Sequence, residues 1–78
     1  MNDSVTALDR IPLGSSCTLC SIDSALPIKG RLKELGFCKG AIIDKLHIGC
    51  LGSPIACRVC GSVIAVRKDD AKMIFVNL

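Results

Sequence analysis

Apolar residues along this chain fall in short runs, many of them alternating with polar ones, and glycine or proline interrupts the runs. That spacing predicts short strands buried on one face. The first is Ser16 to Ile22. Cys17 and Leu19 share one face there, and Thr18 and Cys20 the other. Ile22 falls on the wrong parity by strict counting, so a bulge between Leu19 and Ile22 is needed to turn it inward. A second run, Ala41 to Ile48, is rich in β-branched residues. Its alternation is broken, because Ile42, Leu46 and Ile48 share a parity that Ile43 does not. Ile55, Cys57 and Val59 alternate cleanly with Ala56, Arg58 and Cys60. Gly61-Ser62 reads as a two-residue hairpin turn into a strand over Val63 to Arg67, and Met73 to Leu78 forms the last strand. Upstream, Leu8, Ile11 and Leu13 lead to a turn at Gly14, and Pro12 keeps that stretch extended.

One segment has a different period. Ile28, Leu32 and Leu35 recur at i, i+4 and i+7, which predicts a short helix over Ile28 to Leu35 with an apolar stripe. Gly36 follows and suits the left-handed residue that ends a helix. Gly30 weakens the first turn by about 1 kcal/mol relative to alanine. Asp69 or Asp70 can cap a single helical turn through Lys72. The fold class is therefore mostly β: a small closed barrel of about five strands, one short helix between the first two, and a helical turn before the last.

Composition limits the size of this barrel. The chain has 78 residues, half of them hydrophobic, with two Phe, no Tyr and no Trp. One domain over residues 1–78 with an aliphatic core is expected. The formal charge is +3, but the ten basic residues are scattered and no basic tail forms. Without aromatic stacking platforms, direct nucleic-acid binding is not expected. The first ten residues carry Asp3 and Asp9 and no apolar run, unlike a signal peptide. The longest apolar runs, such as Val63 to Val66, are far too short to span a bilayer. A cytoplasmic protein without membrane insertion is expected, with its six cysteines as thiols or metal ligands rather than disulfides.

The order of these pieces resembles the ferrous iron transport protein A family. The matching residues run from Leu8 to Val76. They are Leu8-x-x-Ile11-x-x-Gly14, then Arg31-Leu32-Lys33-Glu34-Leu35-Gly36-Phe37 and Gly40, then Leu51-Gly52-Ser53-Pro54 and Val59-Cys60-Gly61. Ile64-Ala65-Val66-Arg67 and Asp70-Ala71-x-x-Ile74-x-Val76 complete the set. The resemblance implies an SH3-like barrel, a cytosolic location, and work beside the membrane-embedded, GTP-hydrolysing ferrous iron transporter. A similar barrel also serves as an accessory domain of iron-dependent repressors, so fold alone does not assign function. Two features depart from the family pattern: Lys45 stands where an apolar residue is usual, and the cysteines have no place in it.

Those cysteines are the first candidates for chemistry. Cys17-x-x-Cys20 and Cys57-x-x-Cys60 could supply four thiolates to zinc or iron. Both pairs fall in predicted strands, however, where residues i and i+3 point to opposite faces. Cys17 and Cys57 fit equally well as small buried hydrophobes. His47, the only histidine, is expected to be solvent-facing or half-buried. No triad, phosphate loop or acidic metal loop is present, so the chain is read as non-enzymatic. The stripe of Ile28, Leu32 and Leu35 is expected in the core; the functional alternative is a groove between the helix and the barrel, using Leu32 and Leu35, with Leu51 and Pro54 on its rim. An extended peptide of the transporter is its candidate occupant.

Overall fold

The computed structural model describes residues 5–78. Six antiparallel strands form one sheet in the order β1-β6-β2-β3-β4-β5. They are β1 (Val5–Ala7), β2 (Ser16–Ile22), β3 (Ile42–Ile48), β4 (Ile55–Val59), β5 (Ser62–Val66) and β6 (Ile74–Asn77). Helix α1 (Lys29–Glu34) joins β2 to β3, and α2 (Lys68–Ala71) joins β5 to β6. The predicted helix and helical turn therefore stand where the sequence places them.

Three expectations change. A sixth strand, β1, pairs with β6 through Val5↔Asn77 and Ala7↔Phe75. Three residues are too few for a period to show, so this strand exists through its pairing. The chain between it and β2 is not wholly extended, because Leu8–Arg10 forms a 3-10 turn. Nor is the barrel closed by hydrogen bonds: β1 and β5 are the two edges of the ladder.

The core explains why the sheet still curls. Every strand except the short β1 sends buried apolar side chains to a single cluster, among them Leu19, Ile43, Val59, Val66 and Val76. Leu8, Ile11, Leu26, Leu32, Phe37 and Ala71 join it from turns and helices. A flat sheet would leave that face wet, so burying it requires the strands to wrap around it.

Two bulges set which residues face inward. The β2–β6 register shifts between Leu19 and Ser21, and Ile22 is buried beyond the shift, as the broken alternation of β2 predicted. The β3–β4 register shifts between Lys45 and His47. Ile43 and Lys45 point inward before it, and Ile48 packs on the core after it. Ile42 is 60% exposed, so the majority parity of β3 does not mark its inner face.

Lys45 is 2% exposed. Its Nζ donates to the carbonyl oxygens of Leu8 (3.4 Å), Asp9 (3.1 Å) and Ile11 (2.8 Å). A buried ammonium is tolerated only when its three donors are satisfied, and the 3-10 turn with its cap residue Ile11 supplies all three acceptors. The apolar stem fills the space of the usual aliphatic residue, while the charge ties the N-terminal turn to β3.

The β4–β5 hairpin turns one residue earlier than the glycine suggested. Val59 pairs with Ser62, which leaves Cys60 and Gly61 as the two turn residues. Both have positive φ, 51° and 78°, as the twist of a tight hairpin demands. At α2, Arg67 rather than an aspartate is the cap residue. The Lys68 amide donates instead to Ser53 Oγ at 3.2 Å. Asp69 and Asp70 lie in the first turn, where their charge favours the helix dipole.

Candidate functional site

A groove of about 380 Å³ lies between α1 and the edge strand β5. It follows from the way α1 is attached. Leu32 is buried and anchors the helix on the core, and Phe37, fully buried just after the helix, anchors its exit. Gly36 between them has φ of 111°, the left-handed turn that lets the chain reverse from helix to core. The helix is therefore held at its middle and its end. Leu35, the C-cap residue, is left 40% exposed.

The floor of the groove is apolar: Ile28, Leu32 and Leu35 on the helix side, Ile64 and Ala65 on the strand side. Its polar margin carries Arg31, Arg67 and Asp70, two positive charges against one negative. Among the described residues, the outer edge of β5 has no neighbouring strand, since β4 occupies its other side. Apolar side chains and an open strand edge together match the requirements of an extended segment, whose backbone can pair while its side chains fill the floor.

Of the four residues proposed for binding, Leu32 and Leu35 line this groove, whereas Leu51 and Pro54 do not. The 50–54 loop is drawn toward α2 by the Ser53–Lys68 hydrogen bond. Leu51 is fully exposed there, at 101%, with φ of 62°. The opposite wall of the groove escaped the sequence reading. A signal was present: Val63-Ile64-Ala65-Val66 has no polar residue at its alternate positions, unlike an ordinary solvated outer face.

The cysteines divide by face. Cys17 and Cys57 are buried, Cys20 is half-buried, and Cys38, Cys50 and Cys60 are exposed. Cys17 Sγ donates to the Ile43 carbonyl at 3.5 Å. Burial pushes the Cys17 thiol up to about 11; Asp44 adds to the rise, and Lys45 opposes it. Burial likewise takes Cys57 to about 11, helped by Cys17 and opposed by Lys45. These two are protonated packing residues. Among the described residues, no group of three or more His, Cys, Asp or Glu side chains is placed to hold a metal ion. Cys17, Cys20, Cys57 and Cys60 thus do not form one centre. Cys17 and Cys57 face the core, whereas Cys20 lies at the β2 bulge and Cys60 lies in the β4–β5 turn rather than in the predicted strand. His47 is exposed. Among the described residues, no helix is long and apolar enough to cross a membrane.

Comparison with known proteins adds independent findings. Residues 6–78 match the model of the FeoA domain family. A Campylobacter jejuni protein named for Fe(2+) transport is 28% identical over 71 residues, covering 91% of this chain and 96% of its own. The solution structure of FeoA from Chlorobium tepidum superposes with a TM-score of 0.87 at 26% identity, over 94% of this chain and 70% of that one. FeoA from Stenotrophomonas maltophilia, a prokaryotic SH3 domain protein solved in complex with zinc, is 31% identical with a TM-score of 0.79. That match covers 91% of this chain and 88% of that one. The SH3-like fold implied by the sequence is thereby shown. The zinc belongs to that relative.

Proposed function

The chain belongs to the FeoA domain family, and from that premise we propose that it is a non-enzymatic, cytoplasmic accessory protein of ferrous iron uptake. It acts by docking on the cytosolic portion of the membrane GTP-hydrolysing ferrous iron transporter. The observation that carries this reading is the open groove between α1 and the unpaired edge of β5. Ferrous iron is the cargo of such a system and needs no resident site in this chain. One relative put forward as a ferrous iron transport activating factor has the same SH3 fold, which supports an effect exerted through contact rather than catalysis.

The occupant of the groove is an extended segment of the transporter with an apolar anchor and an acidic neighbour. The anchor seats against Ile28, Leu35 and Ile64. The acidic group faces Arg31 and Arg67, which outnumber Asp70 at the margin. Backbone pairing with β5 supplies affinity independent of side-chain identity.

The test is titration of this chain against the transporter's cytosolic portion, with GTP, with GDP and without nucleotide. Binding that weakens at least tenfold in Leu35→Asp supports the reading. No association under any nucleotide condition overturns it.

A further inference from the structure

The thiol of one exposed cysteine and the backbone amide of another meet on the same carbonyl just beyond the end of α1. The Gly36 oxygen accepts from the Cys38 amide at 2.9 Å and from Cys60 Sγ at 3.7 Å. Cys60 therefore lies directly against the few residues that carry the chain from α1 to Cys38. The fit is close. A Cβ added at Gly36 would sit 2.8 Å from Cys60 Sγ and 3.0 Å from its Cβ, so the missing side chain of Gly36 is what admits the thiol.

Both backbones are held in place. Phe37 is fully buried beside Cys38, and the Ala41 amide closes a turn onto the Cys38 carbonyl at 2.9 Å. Cys60 occupies a two-residue hairpin turn between paired Val59 and Ser62. Side-chain rotation is thus the main freedom left to the two sulfurs. Cys17 and Cys57 offer no competition, being buried. In a reducing cytoplasm, a disulfide between exposed thiols is a transient, redox-responsive bond rather than a structural one.

We propose that Cys38 and Cys60 form a reversible disulfide that staples the C-terminal end of α1 to the β4–β5 hairpin. The oxidant is a low-molecular-weight disulfide such as oxidised glutathione. One cysteine thiolate attacks a glutathione sulfur, forms a mixed disulfide and expels the first glutathione thiolate. The second cysteine thiolate attacks the protein sulfur of that mixed disulfide, forms the Cys38–Cys60 bond and expels the second. The two cysteine protons pass to the two departing thiolates, so two cysteines are oxidised and one glutathione disulfide is reduced.

The staple joins the two walls of the groove. Leu35 lies three residues before Cys38 on the helix side, and Ile64 lies four residues after Cys60 on the strand side. The bond fixes their separation. That it thereby tunes docking rests on the function proposed above; formation of the bond does not.

The experiment equilibrates the full reduced chain in glutathione buffers of increasing oxidised fraction. Free thiols are then alkylated, the linked peptides are mapped, and methyl resonances of Leu35 and Ile64 are recorded. The expected result is one intramolecular link between Cys38 and Cys60, absent in Cys38→Ser and in Cys60→Ser but retained in Cys20→Ser and Cys50→Ser. The thermal midpoint rises by roughly 5 °C or more on oxidation, and the methyl resonances shift in the wild type but not in Cys60→Ser. Linkage through Cys20 or Cys50, separate glutathione adducts on the two cysteines, or unmoved methyl resonances would each overturn the proposal. None of these readouts uses the transporter, so this inference and the docking reading can fail separately.

Discussion

The turn over Lys45 and the groove beside α1 are opposite answers to the same problem. At the first, a charged group enters an apolar interior, and three backbone carbonyls close around it. At the second, apolar side chains such as Leu35 remain partly exposed along an open groove. A satisfied polar group in the core belongs to stability. An open apolar groove between a helix and a sheet edge belongs to recognition. The polar residue is thus the structural element here, and the greasy surface is the one proposed above for docking.

That contrast can be broken most severely at Lys45. Lys45→Met keeps the stem volume but leaves the Leu8, Asp9 and Ile11 carbonyls without their donor. We expect a loss of about 3 kcal/mol in urea unfolding, with docking by the remaining folded protein unchanged. If stability holds, the three hydrogen bonds are replaced by water and the turn is not a structural anchor.

Leu35→Asp acts in the reverse sense. Since the side chain is partly exposed, unfolding stability should move by no more than about 0.5 kcal/mol, while affinity for the transporter falls at least tenfold. A large stability loss would show that Leu35 is core rather than groove.

A smaller effect separates the inner thiols from the outer ones. Cys17 and Cys57 have folded pKa values of about 11 against an ordinary 9.0. Burial favours the neutral, protonated form, so the unfolded state releases these protons first. Their contribution to stability is complete below pH 9 and is lost as pH rises through 11. Urea midpoints should therefore decline across that window, and less steeply in Cys57→Ala. The smallest change concerns the 50–54 loop. Leu51→Gly relieves a leucine held at φ of 62° and should raise stability by up to about 1 kcal/mol. Docking should not change, because Leu51 does not line the groove; a weakened complex would extend the site to this loop.

Several of these features were legible in the residues. The bounds of β2 and the alternation of β4 needed only periodicity. The bulge in β2 needed one further observation, an isoleucine on the wrong parity. Gly36 announced the end of α1 through its position after a helical stripe. In β3, by contrast, three of the four apolar positions share one parity, yet the inner face begins with Ile43. The bulge after Lys45 switches faces midway, and Ile48 returns to the core only beyond it. Lys45 itself stood out as a charge at a normally apolar position, but its acceptors lie 34 to 37 residues away in the chain. Half of the groove was visible as the stripe on α1. Its other wall, on β5, depends on which strands end the sheet.

What the sequence alone determined is local: where strands and the helix run, and where glycine permits a reversal. These follow from steric limits and periods acting within a few residues. Only the tertiary structure decided that β5 is an edge, that Lys45 is capped by a distant turn, and that Cys38 and Cys60 share one carbonyl. Each depends on segments far apart in the chain being brought together. Burial of the common core brings them together, and no local pattern encodes it.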